Sequence, residues 1–197
     1  MIGNDIVDLA QARRDSNWQR EGFLNKLFTT HEQQLIRTAH DPDAMVWTLW
    51  SMKESAYKLV VRNTGRRFFA PRQFVCQVNT SLSITTQGSV FYQCFYKTTS
   101  CITDRYVTSV AFPVDTVQPG SQVIVRFDQV GYQHQHQTIR QAVKQHCAAS
   151  WSVSENQIQL HKDALGVPTL VVNRPSEAPV YKPISLSHHG HYGAFVL

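Results

Sequence analysis

Apolar and polar positions alternate from Ile2 to Leu9 well enough to predict a short strand, with Asp5 at a turn-prone or edge position that a ligand could reach. Between about Asn17 and His40, Phe23, Leu24, Leu27, Phe28, Leu35 and Ile36 fall at helical spacing. Two short helices are predicted there, broken near Thr29-Thr30, where a threonine followed by Glu32 and Gln33 supplies an N-cap. Asp41-Pro42-Asp43 stops that unit. A long helix is predicted from about Asp43 to Arg62, with Val46, Leu49, Trp50, Tyr57 and Val61 on its apolar face and Asn63-Thr64-Gly65 as its stop. Four segments rich in Val, Thr, Tyr and Phe then read as strands: Phe74 to Asn79, Leu82 to Thr86, Val90 to Lys97 and Arg105 to Phe112.

Pro113 to Gly120 reads as a connection, after which the pattern starts again. A strand is predicted at Gln122 to Asp128 and a helix at about Thr138 to Ser150. Further strands follow at Ile158 to His161, Thr169 to Asn173, Ile184 to Ser187 and His191 to Val196. Tyr192-Gly193-Ala194-Phe195 faintly echoes Tyr106 to Phe112. The expectation is an α+β fold of two similar halves, 1–116 and 117–197, related by a pseudo-twofold axis, each a long helix packed on a small antiparallel sheet.

At 197 residues and 42% hydrophobic content the chain can fill a core. It shows no basic leader before an apolar run and no stretch near the roughly 18 apolar residues of a membrane span, which places the protein in the cytoplasm. Cys76, Cys94, Cys101 and Cys147 lack C-x-x-C spacing and read as reduced thiols. The net charge of +5 is unevenly spread: Lys53, Lys58, Arg62, Arg66, Arg67 and Arg72 fall in one stretch with a single acid, Glu54. Such a cluster suits a phosphate-rich ligand or an acidic partner.

Two carboxylates near basic residues are the main chemical signal. Asp5 on a first strand and Glu54 on a helix could meet around a divalent ion, with lysines left for phosphate oxygens, a combination suited to phosphoryl transfer. Glu54 and Lys58 are i and i+4 on one helix face, a spacing that more often marks a surface ion pair. Asp8 faces away from Asp5 on a regular strand.

Three blocks resemble the 4'-phosphopantetheinyl transferase family in the right order: Gly3-Asn4-Asp5-Ile6-Val7, then Trp50-x-x-Lys53-Glu54-Ser55-x-x-Lys58, then Ser185-Leu186-Ser187-His188 followed by Tyr192. Phe23-Leu24-Asn25-Lys26-Leu27-Phe28-Thr29 and the G-x-P of Gly166-Val167-Pro168 also resemble family segments. The block order is similar to that of the short, trimeric holo-(acyl-carrier-protein) synthases, whereas the length and apparent duplication are similar to those of the surfactin-type members, which are pseudo-dimers. The resemblance implies an active site between the halves of a monomer.

It further implies transfer of the phosphopantetheine arm of coenzyme A to a serine of an acyl- or peptidyl-carrier protein, releasing adenosine 3',5'-bisphosphate. Mg²⁺ would be held by Asp5 and Glu54, with Val7 where the surfactin type has a further carboxylate and water filling that place. Lys58 would contact the pyrophosphate, and His188 a coenzyme A phosphate. One or more of Arg66, Arg67 and Arg72 would take the 3'-phosphate. Glu54, or a water it holds, would take the serine proton. Arg13, Arg14, Arg20 and Lys26 would face the acidic helix of the carrier.

The competing reading is a non-catalytic basic module that binds nucleic acid or an acidic protein through Lys53 to Arg72, with Phe68 and Phe69 as stacking groups; it leaves Asp5 and Glu54 unexplained. A degenerate transferase that keeps only the carrier-binding face is a third. Trp47 and Trp50 read as core anchors of the long helix. His188, His189 and His191, and separately His134 and His136, lack an acid or cysteine at zinc spacing. Thr64-Gly65-Arg66-Arg67 lacks the second glycine and the Lys-Ser/Thr ending of a P-loop.

Overall fold

A computed structural model describes residues 1–78, 84–117 and 120–197 of the chain. Strand β1, Gly3–Asp8, pairs antiparallel with β5, Tyr106–Pro113, placing Asp5 opposite Ser109. With β2 (Val75–Val78), β3 (Thr85–Tyr92) and β4 (Cys94–Ile102) they form a five-stranded sheet in the order β1-β5-β4-β3-β2. The first helix, α1 (Leu9–Asp15), was not expected from the sequence. Asp8 ends β1 and caps this helix by accepting from the Gln11 N–H at 3.1 Å. Helices α2 (Phe23–Leu27) and α3 (Thr30–Thr38) stand where two short helices are predicted. The predicted N-cap is a full capping box: Thr29 Oγ1 accepts from Glu32 N–H at 3.3 Å and Glu32 Oε2 from Thr29 N–H at 2.7 Å.

The long helix α4, Pro42–Thr64, starts at Asp41, which accepts from Ala44 N–H at 3.0 Å, and stops at Gly65 in the left-handed region. It lies on β1, β5 and β4. Gly3 permits that close approach, since a Cβ there would run into the Ser55 carbonyl oxygen. The buried surface of α4 is wider than the expected stripe. Met45, Trp47, Met52, Ala56, Leu59 and Val60 join Val46, Leu49 and Val61, because α3 packs on the side away from the sheet.

Lys53 departs from expectation most. Counted with the surface cations in the sequence, it is 1% exposed, over the Phe28 ring, with its ammonium 2.8 Å from Glu32 Oε1 and 2.9 Å from Oε2. It also donates to the carbonyls of Pro71 and Phe74, while Glu32 Oε1 accepts from Cys76 N–H at 2.8 Å. One buried charge pair thus ties α3, α4, the 3-10 turn Pro71–Gln73 and the approach to β2 together.

The remainder carries α5 (Tyr132–Trp151) and two three-stranded antiparallel sheets. One is β10 (Ser185–His189), β11 (Tyr192–Val196) and β6 (Val123–Arg126), in the order β10-β11-β6; the other is β7 (Ile158–Lys162), β8 (Pro168–Val172) and β9 (Val180–Pro183), in sequence order. Ile139, Val143 and Cys147 of α5 form a second core with Phe127, Ile158, Leu160, Leu170, Ile184 and Phe195. The architecture is mixed α and β with antiparallel sheets. Helix α5 begins at Tyr132 rather than about Thr138, since its Gln- and His-rich first turns show no apolar stripe. Strand β9 is exposed throughout and has no alternation to read. The turn between β3 and β4 falls at Gln93, φ 59°, inside the strand expected at Val90 to Lys97. Asn79, Leu82 and Ser83 of the expected strands, and Gln118 and Pro119 of the expected connection, lie outside the described residues. Among those described, no helix is long and apolar enough to cross a membrane.

The Glu32–Lys53 pair sets a stability prediction. Lys53→Met strands the carboxylate in the core and should lower unfolding free energy by about 3–5 kcal/mol, read by chemical denaturation. A loss below about 1 kcal/mol, the range of exposed pairs, would contradict the buried network.

Candidate active site

β1 is held from two sides. Its ladder runs to β5, and its polar groups on the other side bond to β10 and the turn after it. Asn4 N–H donates to Ser185 Oγ at 2.9 Å and Asn4 Nδ2 to Ser187 Oγ at 3.0 Å. Asp8 N–H donates to His189 Nδ1 at 3.0 Å, and Asp8 Oδ2 accepts from His191 N–H at 2.8 Å. Gly190, φ 55°, keeps that turn free of a side chain that would strike the Asp8 carboxylate. Asp8 is therefore a cap and seam residue, turned from Asp5 as the strand period requires.

Asp5 lies toward α4. Its carbonyl accepts from Thr108 Oγ1 at 2.6 Å, and its Oδ1 is 3.2 Å from Lys58 Nζ. Lys58 Nζ also donates to the carbonyls of Asn4 at 2.7 Å and Leu186 at 3.4 Å, so its three protons have three acceptors, two on β1 and one on β10. Burial raises the Asp5 carboxyl above its ordinary range against the opposing pull of Lys58. Burial, and then the charge of Asp5, push Glu54 up to about 7, again opposed by Lys58.

Asp5 and Glu54 line one cavity of about 410 Å³ with Trp50, Phe69, His188 and His189. Glu54 and Lys58 also line a neighbouring cavity of about 220 Å³ with Arg62, Arg67 and the hairpin Gly166-Val167-Pro168. The structure thus brings together Asp5, Glu54, Lys58 and His188, and Arg67 next to them. Arg66 is exposed at the end of α4 and Arg72 on the 3-10 turn, and neither lines these two cavities. Arg67 donates to the Leu165 carbonyl, and Arg62 to the Ile184 carbonyl at 2.7 Å. Arg62 was not singled out from the sequence. Its signal is spacing, since Glu54, Lys58 and Arg62 recur every four residues along one face of α4. His189, also passed over, is the second half of a histidine doublet.

His188 is met edge-on by Tyr132 at 6.2 Å, and burial followed by Lys58 and Lys162 lowers its imidazole pKa. His189 is 3.7 Å from Asp15, His191 is 3.1 Å from the Phe127 carbonyl and His134 is 2.6 Å from Asp128. The four cations assigned to docking are exposed, but two are engaged locally: Arg13 with Asp43 at 2.8 Å and Arg14 with Gln11 at 2.9 Å. Arg20 and Lys26 lie over the Phe23 and Phe69 rings at 5.5 and 5.7 Å.

The donors at Asp5 and Glu54 are two carboxylates on adjacent elements. Among the described residues, no group of three or more His, Cys, Asp or Glu could hold a metal. A two-carboxylate set fits a hard cation such as Mg²⁺, which keeps several waters, better than zinc, and a cation would relieve the repulsion by Asp5 that adds to burial in raising Glu54.

The raised carboxyl has a measurable consequence in EDTA. Folded Glu54 holds its proton more tightly than unfolded Glu54, so its contribution to stability is fully present below pH 4.5 and is lost as pH passes about 7. Glu54→Gln should unfold at higher temperature than the parent at pH 8 and show a smaller difference at pH 5. Equal pH profiles for the two proteins would remove Glu54 as the titrating group.

A model of the 4'-phosphopantetheinyl transferase superfamily matches residues 1–111. Over 65 residues the chain is 32% identical to the holo-[acyl-carrier-protein] synthase of Chlamydia muridarum, an alignment covering 33% of this chain and 52% of that protein. The chain therefore spans about half the length of this relative. The family match runs from β1 into β5 and includes Asp5, Glu54 and Lys58, and by it the chain belongs to the 4'-phosphopantetheinyl transferase superfamily.

Proposed function

We propose that this protein moves the 4'-phosphopantetheine arm of coenzyme A to a serine of an apo acyl- or peptidyl-carrier protein, releasing adenosine 3',5'-bisphosphate. The observation that carries the reading is the meeting of Asp5, Glu54 and Lys58 from β1 and α4 with His188 from β10, all at one seam. The printed name of the chlamydial relative supports a carrier protein as acceptor.

In the reaction, the serine oxygen bonds to the phosphorus that carries the arm, and that phosphorus loses its bond to the oxygen of the bisphosphate. Asp5 and Glu54 would hold Mg²⁺, which would neutralise charge at the pyrophosphate. Glu54, or a water it orients, accepts the serine proton. Lys58 gives up one of its three acceptors to reach a phosphoryl oxygen, and His188 donates to another phosphate. Of the arginines, Arg67, with Arg62 beside it, is better placed than Arg66 or Arg72 for the 3'-phosphate. The exposed Arg13, Arg14, Arg20 and Lys26 would meet the acidic helix of the carrier.

We read 1–116 and 117–197 as two halves of a cytoplasmic monomer related by a pseudo-twofold axis, with the site between them. Support comes from topology: β1 lies beside the last strand of its sheet, β5, as β6 lies beside β11. The basic-module reading has less behind it, since Lys53 is buried and that reading gives Asp5 and Glu54 no part. Phe68 is likewise packed against Phe74 and Tyr92.

The test is mass spectrometry of apo carrier proteins incubated with this protein, coenzyme A and Mg²⁺. A gain of one phosphopantetheine group on serine is expected, and EDTA should abolish it. Asp5→Ala and Glu54→Ala should each lower turnover by about 100-fold or more with the fold intact, and Lys58→Ala by less. A near-parental rate in either carboxylate variant would take that residue out of the site.

A further inference from the structure

The backbone N–H of Asp8, a residue only 2% exposed, finds its acceptor on another strand: His189 Nδ1 at 3.0 Å. A serine hydroxyl can turn to give or take a proton, but an imidazole nitrogen that faces a donor must be bare. His189 is therefore neutral and carries its proton on Nε2. That nitrogen faces Asp15 Oδ2 at 3.7 Å, a charge contact rather than a hydrogen bond. The other tautomer would set N–H against N–H, and a flipped ring would set C–H there. Either would leave the buried Asp8 amide unpaired.

The ring is mounted from α1. Asp15, at the end of that helix, has its other oxygen, Oδ1, on Gln11 Nε2 at 2.8 Å, and Gln11 N–H in turn donates to Asp8 Oδ1. Asp8, Gln11, Asp15 and His189 thus close a loop across β1, α1 and β10. His189 also lines the 410 Å³ cavity with Asp5 and Glu54, yet among the described residues its ring bonds neither carboxylate. Its route to Asp5 is the strand. Asp5 lies between Asn4, held by Ser185 and Ser187, and Asp8, held by His189. Without the second hold, the backbone of β1 would be tied to β10 itself only on the Asn4 side of Asp5.

We propose that His189 is a positioning residue for Asp5: neutral, with its proton on Nε2, it accepts from Asp8 N–H and holds the far end of β1, so that the Asp5 carboxylate keeps its place in the cavity it shares with Glu54. The consequence for metal binding rests on the transferase reading above; the tautomer and the bond do not. Asp15 acts one step further out, by facing the protonated nitrogen and so favouring the tautomer that leaves Nδ1 bare. A position that needed only the bulk of a ring would not depend on which nitrogen carries the proton.

Two substitutions separate the nitrogens. His189→Asn puts a carbonyl oxygen where Nδ1 stands, whereas His189→Gln puts its carbonyl near Nε2, out of reach of Asp8. Ring ¹⁵N spectra of the parent above neutral pH should show His189 bare at Nδ1 and protonated at Nε2. The Asp8 amide should exchange with solvent equally slowly in the parent and the Asn variant, and about 5- to 10-fold faster in the Gln variant. Calorimetry of coenzyme A binding then compares Mg²⁺ with EDTA. The Gln variant should bind about 5- to 10-fold more weakly in Mg²⁺ and unchanged in EDTA, and the Asn variant should match the parent in both. A proton on Nδ1, an Asn variant no better than the Gln variant, no loss in the Gln variant, or an equal loss in Mg²⁺ and EDTA would overturn the assignment while leaving the transferase reading in place. Failure of the parent itself to bind coenzyme A would overturn both together.

Discussion

Everything at the site depends on the polar seam along β1. A strand buried on two sides must satisfy its backbone and side-chain groups on each, and β1 does so with a ladder to β5 and with serine and histidine side chains from β10. These bonds fix the rotation of the strand. Asn4 and Asp8 are committed to the seam, which turns Asp5 to α4, where Glu54 and Lys58 stand. Moving β1 by one residue would exchange the two faces and take the carboxylate out of the cavity.

The other polar hub, Glu32 with Lys53, positions the platform beneath. It fixes α3 against α4 and holds the chain entering β2, on the side of α4 remote from β1. Two adjacent residues of one helix, Lys53 and Glu54, thereby play opposite parts. The lysine is spent wholly on structure, while the glutamate, half-buried, lines the cavity with its proton affinity raised. A step of about 100° around the helix separates them.

Much of this was legible in the sequence because the local signals were strong. The capping box at Thr29 and the Asp41-Pro42 start and Gly65 stop of α4 each carry their own physical reason, and the order of the three motif blocks carries the family resemblance. What escaped was set by contacts distant in sequence. Nothing near Lys53 announces Glu32 as a buried partner. Strand β9 lacks any apolar pattern, and α1 begins at an aspartate that reads equally well as the end of a strand. The cations for phosphate were sought in the arginine-rich loop, where composition is loudest. Of that loop the fold sets Arg67 beside Glu54, against a hairpin far along the chain, and adds Arg62 from α4.

The seam joins residues 181 to 183 positions apart. Such closure is among the most non-local a chain of this length can make, and entropy places it late in folding. A growing chain that has made β1 through β5 already carries both acids and Lys58, yet lacks the strand against which β1 rests. The arrangement around Asp5 is thus complete only when β10 arrives and sets the register of the first strand.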